Sequence, residues 1–121
     1  MGLFSSGGVH SHSDHLFLIL NYLKKVTKIN VALHLFSDGR DCNPNSFLDD
    51  ISDILSLIKH TNISLASVSG RYYSMDRDNR WERIKLSYDA MVKGEGIYST
   101  DIKKSIKDLY KNKITDEFIK P

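Results

Sequence analysis

Short apolar segments that favour β-strands alternate along this 121-residue chain with longer segments whose apolar residues recur at helical spacing. Strands are predicted at Gly2–Phe4, Asn30–Phe36 and Ile63–Val68. An amphipathic helix is predicted after each strand, and the third of these helices is predicted to be capped by Asn79. The alternation predicts an α/β fold, with helices and a mainly parallel sheet in three α/β/α layers.

The last part of the chain has a weaker pattern. A further helix is predicted after a cap at Ser99 or Thr100, whereas Ile114–Pro121 has the character of an element that begins and is not completed. The strand at the very start suggests that the chain was cut from a longer one. We therefore expect an incomplete domain, with an α/β core over residues 1–96 and a helical extension plus an unfinished element over residues 97–121.

Composition excludes several classes of protein and partner. A net charge of +2 is too small to indicate a nucleic-acid or membrane partner. The chain has no apolar run of the roughly 20 residues needed to span a bilayer and no secretion signal. Cys42 is the only cysteine, so no intrachain disulfide can form. These features predict a cytoplasmic protein that binds neither nucleic acid nor membrane.

Three polar loops carry the residues with the most informative chemistry, and each loop follows a predicted strand. They span Gly7–Asp14, Asp38–Asp41 and Gly70–Asp78. Because the carboxyl ends of parallel strands lie along one edge of a sheet, ligands of such folds bind in the crevice outside them. We therefore expect five side chains to converge on one pocket: His10, Arg40, Asp41, Arg71 and Arg77.

The chemistry of this set is mainly cationic. Guanidinium groups match carboxylates and phosphates, and the backbone amides of Gly7 and Gly8 can add an anion-binding turn. An ionised Asp41 would repel an anion, so its presence is better explained if it accepts a proton or hydrogen bond from a substrate hydroxyl. The predicted ligand is a small acid carrying a hydroxyl group, with or without a phosphate.

Two other interpretations of these loops remain open. The His10–Ser–His12 pair, joined by Asp14 and His15, could bind a metal ion as in a metal-dependent phosphoesterase. Arginines in the later loops argue against this site, because they would repel a cation. Asp-Gly-Arg-Asp, taken alone, is also typical of an ordinary solvated turn.

Three segments taken together, SSGGVHSHSDHL, FSDGRD and VSGRYYSMDRDNRWER, resemble the cofactor-independent (2,3-bisphosphoglycerate-independent) phosphoglycerate mutase family. The resemblance runs from Gly2 to Val92 and continues more loosely to Pro121. It implies an isomerase of glycolysis and gluconeogenesis that interconverts 3-phosphoglycerate and 2-phosphoglycerate through a phosphoserine. The family's phosphatase-like domain holds two manganese ions and the serine, and an inserted phosphotransferase domain binds the glycerate.

The resemblance implies that residues 1–121 form part of the inserted domain. The matching motifs place the family's substrate contacts on His10, Arg40, Asp41, Arg71 and Arg77, with Asp41 as the candidate for proton transfer. No metal is expected in this chain, and the chain alone is expected to be inactive without the phosphatase-like domain. Full-length members are usually monomeric. A non-catalytic anion-binding module that retained the cleft is the remaining alternative.

Overall fold

A computed structural model describes residues 1–26 and 28–121. Its helices and strands follow the predicted alternation closely. The elements are β1 (Gly2–Phe4), α1 (Ser13–Val26), β2 (Val31–Ser37), α2 (Phe47–Ile58), β3 (Ile63–Gly70), α3 (Arg71–Ser74), α4 (Trp81–Val92), α5 (Ile102–Lys111) and a 3₁₀ turn (Asp116–Phe118).

The three strands form one parallel sheet in the order β1-β2-β3. Gly2 pairs with Leu35, and Val31 pairs with Ile63, so all three strands end near the same edge. The register between β2 and β3 shifts after Leu33. The predicted α/β fold with a parallel sheet is confirmed, because helical connections lie between consecutive strands.

One hydrophobic core joins the sheet to the helices α1, α2 and α5. Phe4 of β1 packs edge-on against Phe17 of α1 and Phe47 of α2, at ring-centroid distances of 6.1 and 6.3 Å. Burying one such side chain contributes roughly 1.5–3 kcal/mol. The buried apolar residues of this core are Phe4, Leu20, Leu33, Leu35, Phe47, Ile51, Ile54, Ile58, Ile63, Val68, Ile106 and Ile119.

The C-terminal segment, the part of the chain that follows α5, is anchored in this core by the buried carboxylate of Asp116. The phenol of Tyr110 donates a hydrogen bond to Asp116, and the backbone amide of Phe47 donates another at 3.0 Å. The backbone amide of Asp116 donates to the Pro44 carbonyl at 2.9 Å. Burial raises the pKa of Asp116, although the hydrogen bonds that its carboxylate accepts from Tyr110 and Phe47 oppose the shift. The segment thus connects α5 to the loop that precedes α2.

Two details of the third polar loop differ from the sequence prediction. Residues 71–74, predicted as loop, form the single helical turn α3. Asn79 does not cap α4, because it adopts a left-handed conformation with φ of 58° and the helix begins after Arg80. Asp76 organises this turn instead, since its carboxylate accepts hydrogen bonds from the amides of Asp78 and Arg80 at 3.1 and 2.8 Å.

The cap of α5 also differs from the prediction. Asp101 caps this helix by accepting a hydrogen bond from the Lys104 amide at 3.1 Å. Ser99 lies two residues earlier, and its hydroxyl accepts a hydrogen bond from the Asp101 amide at 3.2 Å. The prediction of Ser99 or Thr100 was therefore wrong by one or two residues.

Among the helices in the described part of the chain, none is long and apolar enough to cross a membrane.

Gly70 offers a steric test of how closely the C-terminal segment approaches the sheet. A Cβ atom at Gly70 would overlap the backbone of Glu117 and Ile119, whereas one at Gly2 would meet nothing within 4 Å. We expect Gly70→Ala to lower the free energy of unfolding by about 1–3 kcal/mol and Gly2→Ala to change it by less than about 0.5 kcal/mol. Denaturant unfolding of both variants measures this, and equal values for the two would contradict the packing described.

Candidate functional site

A polar cleft of about 380 Å³ lies where the loops after the three strands meet. All five side chains that the sequence singled out line it, so the three loops do converge on a single cavity. The roles of these side chains remain predictions. The lining residues are His10, Arg40, Asp41, Arg71, Tyr72, Met75, Asp76, Arg77, Asp78, Arg83 and Glu117.

A buried carboxylate, Asp38, holds the three loops together beneath the cleft. Only 1% of Asp38 is exposed. Its Oδ1 accepts hydrogen bonds from the amides of Arg40 and Asp41, each at 3.1 Å, and from Nη1 of Arg71 at 2.7 Å. Its Oδ2 accepts a hydrogen bond from the hydroxyl of Ser5. One side chain therefore connects the ends of β1, β2 and β3.

The protonation of Asp38 reflects these contacts. Burial would raise the pKa of Asp38, because it disfavours the charged form. Hydrogen bonds from Ser5 and Arg71, and from the backbone amides of Asp41 and Arg40, outweigh burial and hold the pKa below its ordinary value. Asp38 therefore remains a carboxylate in the folded protein at neutral pH, and it can serve as the permanent counter-charge of Arg71.

Arg71 links the buried carboxylate to the cleft. Its Nη1 donates to Asp38 at 2.7 Å and to Oδ2 of Asp41 at 2.5 Å, and 11% of its side chain is exposed. Burial would lower the pKa of Arg71, but the hydrogen bonds to Asp41 and Asp38 outweigh burial and raise it. Arg71 is thus a fixed cation whose position is determined by two carboxylates.

Asp41 lies between this cation and a histidine. Nε2 of His10 is 3.8 Å from Oδ2 of Asp41, the same oxygen that Arg71 contacts. The His10 side chain is about half exposed, whereas Asp41 is mostly buried. A carboxylate and an imidazole at the surface of one cleft can accept a proton from a bound hydroxyl group or donate a proton to it.

Two further arginines of the cleft, Arg40 and Arg77, are less constrained than Arg71. Nη1 of Arg40 is 3.2 Å from Oε1 of Glu117, and 58% of the Arg40 side chain is exposed. Arg77 is exposed and forms no ion pair within residues 1–26 and 28–121. Of the four arginines that line the cleft, Arg71 and Arg83 are each held by a carboxylate, Arg40 is loosely paired, and Arg77 has no ion pair in the described residues.

Sequence reasoning missed part of the cleft wall. Asp76 is not among the five predicted site residues, yet its side chain is buried and pairs with Arg83 at 3.1 Å. The Arg83 guanidinium also lies 3.9 Å from the centroid of the Tyr72 ring, a cation–π contact. The available signal was local: Asp76 is followed by an asparagine turn at Asn79, and Arg83 lies seven residues after Asp76. Glu117 had no local signal at all.

The structure separates the two histidines of the metal-site alternative. His10 faces Asp41 in the cleft, whereas Nδ1 of His12 accepts a hydrogen bond from the Asp14 amide at 3.3 Å, at the start of α1. Across residues 1–26 and 28–121, no three His, Cys, Asp or Glu side chains are grouped so that they could hold a metal ion. The residues present therefore do not fit a metal centre.

A second, larger groove of about 820 Å³ lies between β3, α5 and the C-terminal segment. Its wall is chiefly apolar, with Leu65, Ile106 and Leu109 among the lining residues. Such a wall cannot orient a small charged ligand. The polar cleft is therefore the better candidate for the functional site, although it is the smaller of the two.

Comparison with known protein families gives a match over the whole chain. The family model for the BPG-independent PGAM N-terminus matches residues 1–121. A 2,3-bisphosphoglycerate-independent phosphoglycerate mutase of Flavobacterium psychrophilum is 50% identical over 121 residues, which are 100% of this chain and 24% of the relative. The corresponding protein of Acetivibrio thermocellus is 46% identical over 99% of this chain and 24% of the relative.

A solved structure agrees with these sequence relatives. The chain superposes on a crystal structure of Leishmania mexicana phosphoglycerate mutase, studied at low cobalt concentration, with a TM-score of 0.89. The two share 26% sequence identity, and the match covers 98% of this chain and 23% of that one. The chain thus spans about a quarter of the length of the relatives it matches.

Asp38 provides a pH-dependent test of the buried network. We expect Asp38→Asn to lower the free energy of unfolding at pH 7 by about 2–4 kcal/mol, because Arg71 loses a buried counter-charge. The folded-state pKa of Asp38 lies below the unfolded value. Its stabilisation is therefore present above about pH 4 and lost as the pH falls further.

Urea unfolding of the wild type and of Asp38→Asn between pH 2 and 8 gives the measurement. The difference between the two proteins should shrink toward the acidic end of this range. A constant difference would mean that the charge of Asp38 is not what stabilises the loops.

Proposed function

This chain belongs to the 2,3-bisphosphoglycerate-independent phosphoglycerate mutase family, and we propose that it forms the substrate-binding part of an enzyme that interconverts 3-phosphoglycerate and 2-phosphoglycerate. The observation that carries the proposal is the convergence of Arg40, Arg71 and Arg77 on one cleft that also exposes a carboxylate, Asp41. A phosphoglycerate presents a carboxylate, a phosphate and a hydroxyl group, and the cleft has a partner for each.

The three arginines bind the two anionic groups of the substrate in this proposal. Arg77 has no competing partner in the described part of the chain, and Arg40 is mostly exposed, so both can turn toward a bound anion. Arg71 is held in place by Asp38 and Asp41, so it adds a preorganised cation at the base of the cleft. Preorganised charge costs no rearrangement when the ligand binds.

Asp41 and His10 act on the hydroxyl group of the glycerate. Asp41 accepts the hydroxyl hydrogen, and its contact with Arg71 keeps the carboxylate in one orientation. Nε2 of His10 lies near the same oxygen of Asp41 that Arg71 contacts. From there His10 can contact the substrate or exchange a proton with Asp41. The negative charge of Asp41, which a simple anion-binding site would exclude, is thereby explained.

The remaining chemistry of the reaction is assigned to the rest of the whole protein. We propose that a phosphatase-like domain supplies the serine that carries the phosphate and binds two manganese ions, because the residues described here fit no metal centre. Residues 1–121 are then part of the inserted phosphotransferase domain, with residues 1–96 as its α/β core and residues 97–121 as an extension. The chain alone is inactive, and the whole protein works in the cytoplasm.

A metal-dependent phosphoesterase is not favoured, because His10 and His12 have separate partners. A non-catalytic anion-binding module would keep the same cleft without turnover. Turnover of 3-phosphoglycerate by the complete protein distinguishes this module from the mutase.

Arg77 tests the cationic part of the proposal, with Arg80 as a matched control. Both side chains are exposed in the same loop, but only Arg77 lines the cleft. In the complete protein we expect Arg77→Ala to lower kcat/KM for 3-phosphoglycerate by about 10- to 100-fold, the loss of a charge-assisted hydrogen bond. Arg80→Ala should change it by less than about twofold, because exposed charges are screened. Equal effects of the two would count against the cleft as the substrate site.

Asp41 tests the proton-transfer step. Asn is isosteric and can still accept the hydrogen bond from Arg71, so Asp41→Asn should fold normally. We expect kcat for 3-phosphoglycerate to fall by about 10²- to 10⁴-fold in the complete protein. KM should not rise, because the substitution removes a negative charge near an anion. A kcat within about threefold of the wild-type value would remove Asp41 from the proposed step.

A further inference from the structure

Glu117 is the ion-pair partner of Arg40, an exposed arginine of the cleft. The Glu117 carboxylate is 17% exposed, whereas the Arg40 side chain that it contacts at 3.2 Å is 58% exposed. Glu117 is the only ion-pair partner of the Arg40 side chain in the described residues. Of this pair, Glu117 is therefore the fixed member, and Arg40 is the one whose position depends on its partner.

The backbone around Glu117 is wedged between the two loops that carry Arg40 and Arg71. A Cβ atom at Gly39 would lie 2.8 Å from the Glu117 amide nitrogen, and one at Gly70 would overlap the Glu117 carbonyl. Gly39 immediately precedes Arg40, and Gly70 immediately precedes Arg71. Close approach on both sides restricts the position of the Glu117 backbone, from which the side chain projects.

The buried neighbour of Glu117 fixes the segment further. The Asp116 carbonyl accepts a hydrogen bond from the Ser37 hydroxyl at 2.7 Å. The Ile119 carbonyl accepts another from the Gly70 amide at 2.7 Å. Glu117 thus projects from a segment that is bonded on either side to the ends of β2 and β3.

An acidic side chain in the wall of an anion-binding cleft is unfavourable on charge alone. It would weaken anion binding unless it has a second effect that outweighs the repulsion. Here that effect is orientation, since a long arginine side chain loses about 2 kcal/mol of rotamer entropy when it is immobilised at binding. Glu117 accepts a hydrogen bond from Nη1 of Arg40. The guanidinium has further N–H donors, and these remain available to a ligand.

We propose that Glu117 is a positioning residue, which holds the guanidinium of Arg40 in the cleft so that Arg40 can bind an anionic group of the substrate. The proposal rests on the proposed function of the cleft and adds to it a residue that acts through Arg40. It identifies the C-terminal segment as part of the binding machinery.

The test uses the complete protein with Glu117→Ala, in the wild-type background and in an Arg40→Ala background. Glu95→Gln is the control, because Glu95 is exposed and lies outside the cleft. We expect Glu117→Ala to raise KM for 3-phosphoglycerate by about three- to fivefold, the upper range for an exposed ion pair, with kcat changed less. In the Arg40→Ala background the same substitution should no longer raise KM, and it should lower KM slightly because it removes a negative charge from the cleft. Glu95→Gln should leave KM unchanged.

A second readout does not depend on turnover. Phenylglyoxal modifies arginine side chains, and peptide mass spectrometry gives the rate at each position. We expect Arg40 to be labelled at least about threefold faster in Glu117→Ala, because the ion pair no longer restrains it, while exposed Arg80 keeps its rate. If Glu117→Ala fails to fold by circular dichroism, the isosteric Glu117→Gln replaces it in both experiments.

The outcomes separate this proposal from the proposed function. A KM that falls or stays unchanged when Arg40 is present, or a rise in KM that persists without Arg40, overturns the role of Glu117. A wild-type protein without turnover refutes the mutase proposal, and the labelling rate of Arg40 then decides about Glu117. An unchanged labelling rate overturns the positioning role in every case.

Discussion

The buried carboxylate of Asp38 is the contact on which the arrangement of the cleft depends. An ionised group can be taken out of water only if hydrogen bonds and opposite charge compensate for the lost hydration. Asp38 obtains these from Ser5 at the end of β1, from two amides of its own loop and from Arg71 at the end of β3. Because these donors together come from all three strand ends, satisfying one carboxylate aligns all three loops.

The second constraint is the close approach of the C-terminal segment to the same strand ends. Gly39 and Gly70 leave room for its backbone, and Asp116 anchors it through Tyr110 and the start of α2. The segment therefore contacts two of the loops that Asp38 connects. Ile119 belongs to the same core as the sheet, so packing and site geometry are coupled in a single unit.

Much of the fold and most of the candidate residues could be predicted from local patterns. The spacing of apolar residues located the main helices and strands, and the rule for parallel sheets placed His10, Arg40, Asp41, Arg71 and Arg77 at one edge. Predictions failed where short-range hydrogen bonds competed, as in the turn that Asp76 organises and the cap that Asp101 provides. In both cases a neighbouring aspartate was the better acceptor.

The amino-acid pattern alone determined the α/β class, the order of the elements and the loops that carry the chemistry, because these properties depend on residues within one helix or strand. Only the tertiary structure decided which charges pair. Asp38 and Arg71 are 33 positions apart, and Arg40 and Glu117 are 77 apart. Contacts over such separations depend on how whole elements pack. No local periodicity encodes that packing, which is why Glu117 emerged only from the folded chain.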